Sequence, residues 1–330
     1  MLAAEESRVL IAVTESKTPT RPIASISLIP KTDNDRAGIL RALDEIVRED
    51  RTVRVEVVAD SPAIVIKGMG ELHLEIISDR LTREHKQEFS STQPRAIYLE
   101  TIGKEAEAES KYVRVVSRIH LYGHAKLRLV PLDRGTGCEF INQVPDDLLP
   151  PQFVHAITFG VQEAMRGGIV AGNEVVDIRA VLCGGSWHAE DSNDMAYKVA
   201  GSMAFKEAAR KASPVLLEPM MTIKVEIPEE YAGTVIGDLT QRRALIKGME
   251  SRDDGIIIAA EVPLAEIFGY AAHLRMATRC RGTYTLDFSH YEACPWREDS
   301  GMNGIPVTAN KPERPRTPRT LESAHPDSEV

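Results

Sequence analysis

The sequence feature that most constrains the fold is a β-α-β-β-α-β order of segments that occurs twice. In the first copy, residues 22–97, Ile23 to Ile29 has the pattern of a strand and Asp33-Asn34-Asp35 begins a helix with apolar residues at helical spacing. Two alternating segments follow, and then a second helix with Leu72, Ile76, Ile77 and Leu81 along one side. The same order returns at residues 219–290, where the last helix is predicted over Leu264–Thr278. This order is typical of the ferredoxin-like split βαβ unit. We therefore predict an α+β protein with two such domains.

A larger mixed segment, residues 98–218, separates the two copies. It contains several predicted strands, a helix near residues 153–166 and a long helix from Asn193 to Ala212, on which Met195 and Met203 have core spacing. Residues 1–21 form a short N-terminal lead. Residues 291–330 are rich in proline and polar residues, which predicts a disordered tail.

Composition excludes several classes of protein. The net charge is −9 and no part of the chain is basic, so strong non-specific binding to nucleic acid by counterion release is not expected. The longest apolar runs have the length of a strand, and no secretory signal precedes them, so we expect a cytoplasmic protein without a membrane partner. The four cysteines are widely spaced, which favours free thiols over disulfides or a metal site.

The sequence carries no recognisable catalytic motif. It contains no Gly-x-x-x-x-Gly-Lys-[Ser/Thr] phosphate loop, and Asp191 and Ser192 are too close to His188 along the chain to form a catalytic triad with it. We predict no catalytic residue, no cofactor and no metal. The chain is therefore expected to act by binding and not as an enzyme, although an enzyme that reuses these folds is an alternative.

Motifs in three successive regions resemble elongation factor G. Gly68–Asp79 is similar to its third domain and Gly185–Ser192 to its fourth; the fourth domain is also indicated by Leu121–His124 and Gly137–Asn142, and the fifth by Pro214–Pro219, Val235–Arg243 and Glu261–Leu274. The resemblance covers about residues 22–290. It implies that the middle segment has the fold of ribosomal protein S5 domain 2, flanked by the two ferredoxin-like domains.

The resemblance implies a ribosomal partner. In that family the fourth domain reaches the decoding site and contacts transfer RNA, and a GTPase domain and a barrel domain precede these three domains. We predict a protein that binds the ribosome at the translation-factor site and modulates elongation, translocation or recycling. One alternative is half of a split elongation factor G that needs a separate GTPase chain, and another is an inactive gene fragment.

The loop Gly184–Ser192 is the first candidate site. Its glycines release the chain from a strand, Asp191 or Ser192 can cap the next helix, and the resemblance places the family's tip histidine at His188. The alternative is a capped helix start with an exposed histidine and no partner. The predicted contacts to transfer RNA and the decoding site are Gly185, Ser186, Trp187, His188, Glu190, Asp191, Ser192, Gly123 and His124.

The second candidate site follows a short helix of the last domain. Gln241, Arg242, Arg243 and Lys247 are predicted to contact ribosomal RNA, because guanidinium groups bind phosphate oxygens in a forked geometry. The alternative is a solvated helix end whose cations complement the negative pole of the helix dipole.

Overall fold

The computed structural model describes residues 21–57, 61–116, 119–252 and 255–294. The predictions for the N-terminal lead and for the tail concern residues that lie almost entirely outside these ranges. Within them, the three sheets follow one another along the chain, and the boundaries between domains stay predictions.

The first sheet has the strand order β2-β3-β1-β4, with all its pairs antiparallel, which is the order of a ferredoxin-like domain. Its first helix begins with a capping box, in which the Thr32 side chain and the Asp35 side chain bond each other's backbone N–H groups. The elements are β1 (Ala24–Pro30), α1 (Asp33–Glu49), β2 (Arg54–Val57), β3 (Ile64–Gly68), α2 (Glu71–Arg83), β4 (Phe89–Ser91) and β5 (Arg95–Ala96).

The middle sheet has the order β7-β8-β10-β9, and β10 runs parallel to β9, so that α3 is the crossover between them. The helices α3 and α4 cover one face and share its hydrophobic core. The elements are β7 (Ala106–Val116), β8 (Ile119–Pro131), β9 (Cys138–Asn142), α3 (Pro151–Arg166), β10 (Ile178–Gly184) and α4 (Asp194–Lys211). A short strand, β6 (Leu99–Ile102), precedes them and belongs to the third sheet.

The third sheet repeats the ferredoxin-like order as β12-β13-β11-β14, and β6 pairs with the start of β11. The helix predicted over 264–278 is broken into two, because Gly269 adopts a left-handed conformation with φ of 72°. The elements are β11 (Pro214–Ile227), a 3₁₀ turn (Glu229–Tyr231), α5 (Ala232–Gln241), β12 (Leu245–Arg252), β13 (Gly255–Pro263), α6 (Leu264–Ile267), α7 (Tyr270–Ala277) and β14 (Thr283–Ala293).

These topologies confirm the predicted α+β class, with two ferredoxin-like domains flanking a domain like that of ribosomal protein S5 domain 2. The two ferredoxin-like domains contact each other. Their buried residues form one hydrophobic cluster, and the Glu71 carboxylate at the start of α2 accepts the N–H of Gly269 at 2.9 Å. In the described part of the chain, no helix combines the length and the apolar character needed to span a membrane.

The buried face of α4 differs from the predicted one. Met195 and Met203 are exposed, and the helix instead buries alanines, Gly201, Tyr197 and Phe205. The reason is close packing: a Cβ added at Gly160 of α3 would lie 2.0 Å from the Lys198 carbonyl oxygen of α4. Small residues let the backbones approach, and they leave no strong hydrophobic period in the sequence.

A buried carboxylate fixes the loop after α3. Glu100 on β6 is 2% exposed, and its two oxygens accept four backbone N–H groups. The donors are Ile169, Val170, Ala171 and Asn173, at distances of 2.7 to 3.0 Å. The backbone of Glu100 also bonds Glu174 and Val176, so one residue of β6 ties this loop to the third sheet.

Candidate nucleic-acid interface

The loop between β10 and α4 is closed by short-range hydrogen bonds. The His188 N–H donates to Ser192 Oγ at 2.9 Å, and the Ser192 N–H donates to the His188 carbonyl at 3.1 Å. The Tyr122 N–H on β8 donates to the Asp191 carbonyl at 2.7 Å, which attaches the loop to the middle sheet. Trp187 and His188 are exposed on this closed loop.

The imidazole of His188 contacts an aromatic ring. Its centroid lies 4.3 Å from that of Tyr122, and the ring planes meet at 75° in an edge-to-face arrangement. The His188 side chain is therefore accessible from solvent, and the Tyr122 ring supports it on one side. An imidazole in this position can stack on a base or donate to a phosphate oxygen.

Beneath the loop, a chain of hydrogen bonds joins four side chains. Tyr122 Oη lies 2.7 Å from Ser186 Oγ, which lies 2.7 Å from His124 Nδ1, and His124 Nε2 lies 2.9 Å from Glu109. Tyr197 on α4 donates to the Ser186 carbonyl at 2.8 Å. Burial lowers the pKa of His124, whereas the bond to Glu109 acts in the opposite direction. Sequence reasoning missed Glu109 and Tyr197 because they lie on other elements, β7 and α4. It did not select Tyr122 as a site residue either, although Tyr122 lies within the motif Leu121–His124.

A serine, a histidine and a carboxylate in contact invite comparison with a catalytic triad. Such a site also needs free N–H donors that could bind an oxyanion about 3 Å away. In this loop, the N–H groups of His188 and Ser192 bond each other's oxygens, and the Met195 N–H donates to Asn193 Oδ1. The contacts of Ser186 with Tyr122, His124 and Tyr197 attach the loop to β8 and α4.

The predicted contact residues divide into two groups. Trp187, His188 and Glu190 are exposed, whereas Ser186 and His124 bond to each other within the protein. Asp191 and Ser192 hold the loop closed, as described above. The predicted helix cap was wrong: neither Asp191 nor Ser192 but Asn193 caps α4, accepting the Met195 N–H at 2.8 Å, because the helix begins two residues later than the serine.

Two of the predicted glycines are needed for close packing. A Cβ at Gly123 would lie 2.4 Å from the Ala196 carbonyl group, and one at Gly185 would lie 2.9 Å from the His124 carbonyl oxygen. Gly123 thus lets β8 touch the first turn of α4.

Replacing Gly123 with alanine is expected to destabilise the protein by about 1 to 3 kcal/mol, because α4 must move away from β8. Urea unfolding followed by circular dichroism measures this change. Gly135 offers a control that is also glycine but has no atom within 4 Å of the place that a Cβ would take, although its φ of 81° adds a strain of its own. An unchanged urea midpoint for the Gly123 variant would show that α4 can move away from β8 without a loss of stability.

The second predicted cluster is engaged within its own domain. Arg243 forms a two-pronged ion pair with Glu218, which is 2% exposed, and Arg242 donates to Asp238 at 3.0 Å and lies over the Tyr270 ring. Lys247 pairs with Glu261 at 2.7 Å, and Gln241 is exposed at the end of α5. The contact of these residues with ribosomal RNA stays a prediction.

Among the described residues, no group of three histidine, cysteine or carboxylate side chains is placed to hold a metal ion. The first site presents the exposed rings of Trp187 and His188 on a loop that hydrogen bonds hold closed.

Comparison with known proteins identifies the three domains. Family models match consecutive parts of the chain: elongation factor G domain III at residues 19–93, domain IV at residues 94–213, and the elongation factor G C-terminus at residues 215–299. A crystal structure of a protein from Thermus thermophilus is similar, with a TM-score of 0.64 and 36% sequence identity. That match covers 85% of this chain and 42% of the other, so this chain spans less than half of that protein's length.

The resemblance drawn from the motifs is confirmed, including the order of the domains. The chain belongs to the elongation factor G family of translation factors, of which it carries domains III and IV and the C-terminal domain.

Proposed function

We propose that this protein binds the ribosome at the translation-factor site and modulates elongation, translocation or recycling. The loop Gly184–Ser192 of domain IV contacts RNA at the decoding site, through His188 and Trp187. The observation that carries the proposal is the exposed imidazole of His188, supported edge-on by Tyr122 at 4.3 Å on a loop closed by hydrogen bonds. A supported ring loses little conformational freedom when a base stacks on it.

The proposed binding depends more on shape than on charge. The chain has a net charge of −9, and the loop itself carries Glu190 and Asp191. Arg242 and Arg243 are engaged in ion pairs with Asp238 and Glu218. Few phosphate charges are therefore neutralised, and the affinity should fall only shallowly as salt concentration rises. In this proposal the three domains act by binding, in the cytoplasm, without chemistry of their own.

Replacing His188 with alanine is expected to weaken binding to 70S ribosomes by about tenfold, because stacking on one base contributes about 1 to 3 kcal/mol. Co-sedimentation of the full chain with ribosomes over a range of protein concentrations measures the change. His290→Ala is the matched control, since His290 is an exposed histidine on β14, far along the chain from the loop. If the His188 and His290 variants both co-sediment with ribosomes to the same extent as the parent protein, the assigned contact of His188 is wrong.

A separate GTPase chain is a second candidate partner, and one observation favours it. Leu72 and Ile76 on α2 are 69% and 50% exposed, although both were predicted to lie along one side of the helix with Ile77 and Leu81, which are buried. Exposed apolar side chains on one helix face are typical of a docking surface. If this candidate is correct, Leu72→Glu with Ile76→Glu should abolish a complex with a GTPase chain encoded beside this one, and leave the fold intact.

A further inference from the structure

His124 occupies a position from which it can control the loop above it. The residue lies on β8, and its side chain is 12% exposed. One ring nitrogen faces β7 through Glu109, and the other faces the loop through Ser186. Each of these contacts is shorter than 3 Å, so the ring is fixed at both ends.

The hydrogen-bond partners determine where the proton of the neutral ring lies. Glu109 is a carboxylate and can only accept, so His124 Nε2 carries the hydrogen and Nδ1 is the acceptor. The Ser186 hydroxyl then donates to Nδ1, and the Tyr122 hydroxyl donates to Ser186 Oγ. The two hydroxyl groups therefore donate in the same direction, from Tyr122 to Ser186 and from Ser186 to His124.

We propose that His124 is a positioning residue for the loop Gly184–Ser192. By accepting a hydrogen bond from Ser186 it fixes the Tyr122 side chain, and the Tyr122 ring in turn holds the imidazole of His188. The consequence for RNA binding rests on the proposed function, whereas the positioning itself is a property of the free protein. His124 was predicted from the sequence as a contact to RNA, and this proposal assigns it a different role.

The charged and titratable groups around His124 come from four elements. Glu109 and Lys111 face it from β7, Tyr122 lies beside it on β8, Tyr197 reaches the same serine from α4, and His188 lies on the loop. Protonation at Nδ1 would turn that atom into a donor. The Ser186 hydroxyl would then have to donate to Tyr122, so the donor and acceptor of each of these hydrogen bonds would exchange roles.

The sign of the pH dependence follows from burial. Because burial lowers the pKa of His124 below its ordinary value of 6.5, the ring is neutral in the folded protein when the unfolded chain is already protonated. The stabilising contribution is therefore complete above about pH 6.5, and it is lost as the pH falls through the lower pKa of the folded state.

Two amide substitutions distinguish the two ring nitrogens of His124. His124→Asn keeps a polar group near Nδ1 that can accept from Ser186, and His124→Gln keeps one near Nε2 that can donate to Glu109. The readout is the ring C–H resonance of His188 in the free, full-length protein labelled with ¹³C-histidine, since the edge-to-face contact with Tyr122 shifts this resonance. Tyr122→Leu supplies the value for the lost contact.

We expect His124→Gln to move the His188 resonance at least half of the way toward its Tyr122→Leu value, and His124→Asn to leave it near the parent position. Ser186→Ala removes the same hydrogen bonds without altering either ring and should move the resonance as His124→Gln does, which keeps the test valid if a His124 variant fails to fold. A parent-like resonance in Ser186→Ala, or equal shifts in the two His124 variants, would overturn the proposal. The measurement needs no ribosome, so a failure of ribosome binding by the parent protein leaves it intact and counts only against the proposed function.

Discussion

Replacing Glu100 with alanine is expected to destabilise the protein by about 3 to 5 kcal/mol. The substitution removes an acceptor from four backbone N–H groups, of which those of Ile169 and Asn173 belong to residues that are themselves nearly buried. A buried donor left without a partner costs about 1 to 3 kcal/mol, and the four losses overlap because the loop can relax. The result is one of the largest changes expected for a single residue in this chain.

Thermal and urea unfolding measure the loss, and amide hydrogen exchange over residues 168–173 locates it. Glu174→Ala is the matched control, since Glu174 follows the same loop but its side chain is 51% exposed and pairs with Arg21 at the surface. We expect the control to change stability by less than about 1 kcal/mol. Slow exchange over residues 168–173 in the Glu100 variant would mean that the loop holds its conformation without the carboxylate.

The second large effect is expected for Arg243→Ala, with a loss of about 3 to 5 kcal/mol. Glu218 on β11 is 2% exposed, and the two nitrogens of Arg243 pair with its two oxygens. Removing the guanidinium leaves a buried carboxylate without its counter-charge, which is more damaging than removing both partners. The double variant Arg243→Leu with Glu218→Met should therefore be more stable than Arg243→Ala alone.

Arg252→Ala is the control for this pair, because Arg252 is bound to Glu250 on an exposed strand where both side chains are more than half exposed. Its effect should stay below about 1 kcal/mol. Calorimetry of the four proteins gives the comparison, and equal melting temperatures for the Arg243 and Arg252 variants would contradict the structural role of Arg243.

The structural role of Arg243 affects how the second predicted site should be tested. A loss of ribosome binding in an Arg243 variant would report unfolding as readily as a lost RNA contact. Lys247, whose side chain is 50% exposed, is the better residue for testing the second predicted site.

The sheets could be predicted from the sequence because their buried strands alternate. Ile26, Leu28, Ile64 and Ile66 all face one core, and the spacing of two between them is visible without any structure. The same reasoning failed for α4, where the buried face consists of alanine and glycine and the larger methionines point outward. It also failed for α2, whose exposed Leu72 and Ile76 have the same character as its buried residues. The spacing of hydrophobic residues in a sequence therefore predicts the core only where the large apolar side chains are the ones that are buried.

The candidate loop could be located from its glycines and from the family motif, but the hydrogen bonds that hold it could not be predicted. His124 and Ser186 lie 62 residues apart, and nothing in either segment indicates that they form a hydrogen bond. Arg243 and Glu218 are 25 residues apart, and the arginine lies among other cations that look equivalent in the sequence. Long-range pairs of this kind follow from the topology of the sheets, which had to be known first.

The pairing of β6 with the first residues of β11 has a mechanical consequence. The chain enters the middle domain along β6 and leaves it along β11, and the two strands are antiparallel neighbours from Leu99 and Leu217 to Ile102 and Pro214. Beyond that point β11 continues as a central strand of the third sheet. Two hydrogen-bonded strands therefore join the middle domain to the C-terminal domain. We expect these two domains to rotate together when a force acts on the middle domain.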